Sequence, residues 1–192
     1  MPLYLAADDL PLWQAGESEL EKLDLPAPFW AFAWAGGQAL ARYILDQPEI
    51  VKAKRVLDFG AGSAIAGIAA AMAGADHVLC SEIDPWCDPA ITLNATHNKV
   101  EVEVTLDNLV GSDSQWDVIL AADICYENAP ARRIADWLHR LDKNGTTVLV
   151  GDPGRTYFPQ DRFERLAHYQ VKTDSRVEDT DLRNAGVWRF KP

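Results

Sequence analysis

Acidic and amide side chains stand in this chain where short apolar runs end. Asp58 follows Val56-Leu57 and precedes Gly60-Ala61-Gly62, and Glu82 follows His77-Val78-Leu79-Cys80-Ser81. Asp107 and Asn108 close a third run, while Asp123, Tyr126 and Glu127 come after a fourth that ends Ala121-Ala122. Glycine has no Cβ, so it takes φ > 0 cheaply and lets backbone come close to a ligand. A strand, a Gly-x-Gly turn, a small-residue helix and an acid about 20 residues further on form the pattern that holds the ribose of a nucleoside-type cofactor.

Two details separate the cofactors that use this pattern. A dinucleotide turn carries a third glycine or alanine three positions after the second. Ile65 occupies that position here, and its branched side chain would hinder close helix–strand packing. Asp58 points the same way, because a carboxylate repels a pyrophosphate and attracts an ammonium. S-adenosylmethionine is therefore the expected cofactor, with Asp58, Gly60 and Gly62 at its methionine end. Glu82 and Asp84 compete for the ribose hydroxyls. Glu82, directly behind the strand, is assigned to them, and Asp84, followed by Pro85, to a helix start. Asp107 and Asn108 are expected at the adenine edge, although their composition equally suits a turn.

The fourth run supplies the candidates for chemistry. Ala122 is small enough to let backbone reach the cofactor, and Asp123, Tyr126 and Glu127 face the methyl group's exit. An amine must be neutral to attack a sulfonium methyl, and a lysine with a pKa of about 10.4 needs roughly 4–5 kcal/mol to be so at pH 7. A carboxylate that orients the ammonium before water takes the proton suits that task, and a tyrosine ring adds cation–π attraction. The structural alternatives are a helix cap for Asp123 and packing for Tyr126.

The elements that must position these groups alternate. Strands are predicted at 55–59, 77–81, 101–106, 117–121 and 146–150, with helices at 65–73, 88–98 and 129–141. Such alternation predicts an α/β, Rossmann-like, mostly parallel sheet with helices on both faces and a ligand at the carboxyl ends of its strands. The tail reads as a helix over 160–169, then strands over 170–177 and 186–191 that form an antiparallel hairpin at the sheet edge. Residues 1–28 read as an irregular arm, broken by Pro2, Pro11, Pro26 and Pro28, with a helical turn over 20–25. Residues 29–192 form the remaining domain. Phe29, Trp30, Phe32 and Trp34 either staple the arm to the core or lie as a lid over the cofactor, ahead of a Gly36-Gly37 turn and a helix from Gln38. In Gly151-Asp152-Pro153-Gly154-Arg155, a turn accounts for all but Arg155, which is expected to pair with Asp152 or with an acid on a partner.

Composition narrows the field. With 192 residues the chain is one domain with a three-layer core. No apolar run is long enough to span a bilayer, so no membrane association is expected. The first 12 residues carry two aspartates and no basic residue, unlike a targeting peptide. Cys80, Cys87 and Cys125 form no Cys-x-x-Cys pair, which argues against a disulfide framework or a zinc site and for a reducing cytoplasm. A net charge of -11 disfavours nucleic acid as substrate and would steer a cationic protein partner toward the chain.

Longer motifs carry a resemblance. The run Pro28-Phe29-Trp30-Ala31-Phe32-Ala33-Trp34-Ala35-Gly36-Gly37-Gln38-Ala39-Leu40, the glycine turn, Asp84-Pro85 with Ala90-Ile91-Thr92-Leu93-Asn94, Asp123-x-x-Tyr126, and Gly151-Asp152-Pro153-Gly154-Arg155 resemble the lysine methyltransferases of the electron transfer flavoprotein β subunit. The resemblance runs from about Pro28 to Val187-Trp188-Arg189-Phe190. It implies a seven-stranded class I methyltransferase sheet and methylation of lysines in the β subunit's recognition loop, with that subunit as partner. It also implies Trp34 against the cofactor, and Asp123 with Tyr126 at the lysine channel. Cys125 stands where relatives often carry Phe or Tyr, and animal relatives carry a mitochondrial presequence unlike the acidic N-terminus here. Ribosomal protein L11 methyltransferases and small-amine methyltransferases share the cofactor motifs, and a non-catalytic domain that binds the cofactor or the flavoprotein is a further alternative.

Overall fold

The computed structural model describes residues 1–6, 27–113, 115–173 and 180–192. The centre of the sheet is made by runs that are buried on both faces and therefore read as continuous apolar sequence rather than alternating. These are β1 (Arg55–Phe59), β2 (His77–Ser81), β4 (Val118–Ala122) and β5 (Thr147–Asp152). β3 (Glu103–Thr105) is short, and β6 (Phe163–Lys172) and β7 (Leu182–Phe190) finish the chain. The order is β3-β2-β1-β4-β5-β7-β6. The first five strands are parallel, and β7 runs antiparallel to both β5 and β6. The seven-stranded sheet with its antiparallel hairpin is the expected architecture. Connections leave β1 toward opposite edges, so the switch point lies between β1 and β4, where such sheets bind ligands.

Helices α1 (Ala35–Asp46), α2 (Ile65–Met72) and α3 (Cys87–His97) cover one face, and α4 (Asn128–Lys143) covers the other. The strand period of two assigns side chains to these layers. In β1, Val56 packs among Leu40, Ile44 and Ile68, while Leu57 and Phe59 pack among Trp137, Leu138 and Leu141. Asp58 consequently faces the α2 side. Described residues of the N-terminal arm lie over α3: the Tyr4 N–H donates to Asn94 Oδ1 at 2.7 Å, and the Ala6 N–H to the Ala31 carbonyl at 2.9 Å. The predicted turn over 20–25 lies outside the described residues.

Two expectations are corrected. The segment 160–169 is not a helix: a short 3-10 turn, Gln160–Arg162, leads directly into β6. Pairing with β7 slips by one residue between Arg165 and Ala167. Past this bulge the positions packed on the core shift from the buried Phe163 to the partly buried Ala167, Tyr169 and Val171, and so mimic a helical spacing in the sequence. Secondly, Gly36 and Gly37 do not form a turn but lie in the first turn of α1. A Cβ on Gly36 would stand 2.3 Å from the Gly151 carbonyl oxygen, and one on Gly151 would stand 2.2 Å from that of Gly36. These glycines exist so that α1 can press on the backbone of β5.

Candidate active site

A cavity of about 800 Å³ opens at the carboxyl ends of β1, β2 and β4, a size ordinary for a small-molecule site. All the site residues expected from the sequence line it: Trp34, Asp58, Gly60, Gly62, Glu82, Asp107, Asn108, Ala122, Asp123, Tyr126 and Glu127. The floor is the turn after β1. Gly60 (φ 66°) and Gly62 (φ 53°) are both left-handed, which only glycine adopts without strain. The Gly60 and Ala61 N–H groups donate to the Ser81 carbonyl at 2.9 and 3.2 Å, tying the turn to the end of β2. Glu82 completes the tie, its Oε1 accepting from the Gly62 N–H at 2.8 Å and its Oε2 from the Ile83 N–H at 3.1 Å. Burial pushes its carboxyl up, and the bond from Gly62 partly opposes the shift.

Asp58 is only 2% exposed and its Oδ2 accepts from the Gly67 N–H at 2.7 Å, inside the first turn of α2. Burial raises its carboxyl to about 7, against the lowering effect of that bond. Gly67 is the glycine of close helix–strand approach. A Cβ there would lie 2.8 Å from Cys80 Sγ and 2.9 Å from Asp58 Oδ2. Ile65 does not hinder this packing as expected from its branched side chain, because it finds its space against Gly37, where a Cβ would meet its Cγ2 at 2.8 Å.

At the β3 end, Asp107 is exposed and bonded to Thr105 Oγ1 at 3.2 Å, and Asn108 Oδ1 accepts from the Val110 N–H at 3.1 Å. Both are local turn bonds made at the cavity wall. Asp84 Oδ1 accepts from the Trp86 N–H at 2.9 Å in the turn ahead of α3, whose N-cap is Trp86, and Asp84 also lines the cavity.

The corner after β4 is more heavily tied. Asp123 sits at φ 55° and is buried, with its Oδ2 accepting from the Gly37 N–H at 2.9 Å and its Oδ1 from Arg155 Nη2 at 2.8 Å. The Arg155 guanidinium lies 5.5 Å from the centre of the Trp34 ring. Asp152 takes only backbone from this turn, its Oδ1 accepting from the N–H groups of Gly154 at 2.6 Å and Arg155 at 2.8 Å. The pairing expected for Arg155, with Asp152 or with an acid on a partner, is corrected: its guanidinium pairs with Asp123, and Asp152 accepts its backbone N–H, because β4 and β5 are neighbours and bring the two turns together. Towards the mouth, Trp34 Nε1 donates to the Phe29 carbonyl at 2.8 Å, and Phe29 meets Tyr126 at 5.3 Å between ring centres. Tyr126 is 53% exposed, and Glu127 is exposed immediately ahead of α4.

This donor set suits S-adenosylmethionine. The glycine turn leaves room for backbone approach, and carboxylates line the cavity at the ends of β1, β2 and β4, where Asp58 and Asp123 are buried. Among the described residues, no group of three or more His, Cys, Asp or Glu side chains could hold a metal ion.

Comparison with known proteins agrees with this geometry. The family model "Ribosomal protein L11 methyltransferase (PrmA)" matches residues 38–151. The electron transfer flavoprotein beta subunit lysine methyltransferase of Xenopus laevis is 40% identical over 172 residues, covering 86% of this chain and 70% of the relative. The human protein of the same name is 37% identical over 172 residues, covering 86% and 66%. Among solved structures, the ribosomal protein L11 methylase from Lactobacillus delbrueckii subsp. bulgaricus superposes with a TM-score of 0.52 at 21% identity, over 80% of this chain and 79% of that one.

Proposed function

Because the chain belongs to the family of electron transfer flavoprotein β-subunit lysine methyltransferases, we propose that it transfers methyl groups from S-adenosylmethionine to lysines of that β subunit in a reducing cytoplasm. One observation carries the reading. A single cavity joins the glycine turn and Glu82 to the Asp123 corner, and from there to a mouth formed by Phe29, Tyr126 and Glu127. Its three cysteines are free thiols, which suits the compartment. When bound, the cofactor supplies an activated methyl on a sulfonium.

The chain's own residues hold, orient and exclude water. Asp58, Gly60 and Gly62 take the methionine end, Glu82 the ribose, and Asp107 with Asn108 the adenine, while Ala122 keeps β4 close and Trp34 walls the far side. Asp123 holds negative charge at the junction where the methyl emerges, anchored by Gly37 and Arg155 rather than by the acceptor. Tyr126 and Glu127 at the mouth then meet the incoming lysine, the ring face and the carboxylate both favouring its ammonium. Alignment of the neutral amine with the methyl contributes most of the rate. The acidic chain steers a cationic loop toward this mouth.

Intact-mass spectrometry of purified electron transfer flavoprotein after incubation with the protein and S-adenosylmethionine tests this. The expected result is a β subunit heavier by whole methyl groups, and an unmodified β subunit would overturn it. The match of residues 38–151 to the ribosomal protein L11 methyltransferase model favours a second reading, with L11 as acceptor. The same incubation with L11 separates the two.

A further inference from the structure

If Asp107 and Asn108 after β3 take the adenine and Glu82 after β2 the ribose, as proposed, strand order would put the methionine end on the β4 side, near Asp123. The next strand, β5, brings Arg155 into the same cavity. A methionine end is a zwitterion, and the aspartates gathered at this end serve only its ammonium. Its carboxylate, placed beside Asp58 and Asp123, would be repelled unless a cation stood in the group.

We infer that Arg155 binds the carboxylate of the cofactor's methionine end, and that Asp123 both fixes the guanidinium and faces the ammonium. This rests on the methyl-donor reading of the cavity. The geometry holds Arg155 from three directions. Asp152 clamps its backbone N–H, Trp34 lies against the guanidinium, and Asp123 bonds Nη2. A guanidinium fixed in this way matches a carboxylate with two parallel N–H donors, which a lysine ammonium cannot do. The cavity's other lining arginine, Arg133, is exposed on α4 and has no such setting.

Calorimetric titration tests the assignment without methyl transfer. The probes are S-adenosylhomocysteine and its decarboxylated analogue, which keeps the ammonium and lacks the carboxylate. Wild-type protein is expected to prefer S-adenosylhomocysteine by about tenfold or more. Arg155→Met should erase that preference by weakening S-adenosylhomocysteine alone, Arg155→Lys should retain part of it, and Arg133→Met should leave it intact. Equal affinity of the wild type for the two ligands overturns the inference even if no Arg155 variant folds. A loss of affinity in Arg155→Met that is equal for both ligands also overturns it, since a residue that only supports the wall would act on both. Wild-type protein that binds neither ligand would instead overturn the cofactor reading itself.

Discussion

The two ends of the cavity are built by different means. At the cofactor end the polar groups bond to nearby backbone: Glu82 to Gly62 and Ile83, Asp58 to Gly67, and the Gly60 and Ala61 amides to Ser81. At the mouth, Phe29 and Tyr126 meet as a tilted ring pair, and Tyr126 and Glu127 are exposed. The first arrangement is fixed before any ligand arrives, so a small molecule does not have to order it. The second leaves side chains able to adjust to a folded partner. Rigidity therefore belongs to the donor and adaptability to the acceptor, and substitutions at the two ends should register in different measurements.

Asp58 gives the largest expected effect. Its carboxyl is raised from 3.8 to about 7 by burial, so the folded protein keeps a proton that the unfolded chain releases. The stability tied to that proton is fully present below pH 3.8, is lost as pH rises, and is gone above about 7. The loss amounts to about 4 kcal/mol at most. Asp58→Asn should remove this slope, gaining on the wild type in urea unfolding as the pH rises from 4 to 7, while losing affinity for S-adenosylhomocysteine. Equal slopes for the two proteins would show that Asp58 is not the strained group at the cofactor end.

Gly36→Ala comes next and strikes both ends at once. The first turn of α1 holds Asp123 through Gly37 and follows directly on Trp34, so α1 is the strut that the two regions share. An added Cβ would lie 2.3 Å from the Gly151 carbonyl oxygen and 2.6 Å from Asp123 Oδ2, so it pushes on the β5 backbone and on the Asp123 corner together. Unfolding free energy should fall by about 3 kcal/mol, read from urea denaturation. A variant of wild-type stability would mean that the helix can lift off β5 at no cost.

Glu82→Ala sharpens the division. It removes the proposed ribose contact together with the acceptor for the Gly62 N–H, and should weaken S-adenosylhomocysteine by about 2 kcal/mol, roughly thirtyfold. Binding of the protein acceptor, followed by surface plasmon resonance, should not change. A comparable loss on the acceptor side would merge the two regions into one.

How much of this was legible depended on where each partner sits in the sequence. The strands β1, β2, β4 and β5 declared themselves because burial on both faces leaves unbroken apolar runs, and the glycine turn declared itself because its ligand logic lies within one βα unit. The α1 glycines read as a turn because adjacent glycines usually mark one, and nothing local reveals that β5 presses on them. Gly67 was hidden for the same reason, since its neighbours Cys80 and Asp58 belong to two strands. Arg155 lies 32 residues from Asp123, and their pairing exists only because β4 and β5 are adjacent. The bulge in β6 shifted the pattern by one residue and turned a strand into an apparent helix. Contacts carried by chain neighbours could be read, whereas contacts carried by strand order could not.

The smallest effects fall at the mouth, where they decide whether it is the acceptor's surface. Tyr126 touches Phe29, and burial raises its phenol above the ordinary value, so at neutral pH it offers an uncharged ring to a lysine ammonium. Tyr126→Ala should raise the KM for the protein substrate by about fivefold, the worth of one cation–π contact at a partly exposed site. Tyr126→Phe should preserve most of the affinity, because the attraction belongs to the ring face and not to the hydroxyl. Glu127→Gln should raise KM by only about twofold, and the difference should vanish at high salt, as exposed charges do. Affinity for S-adenosylhomocysteine should not move in any of the three. If Tyr126→Ala weakened the small ligand and spared the protein, the ring would belong to the cofactor end, and the boundary between rigid and adaptable regions would have to be drawn outside it.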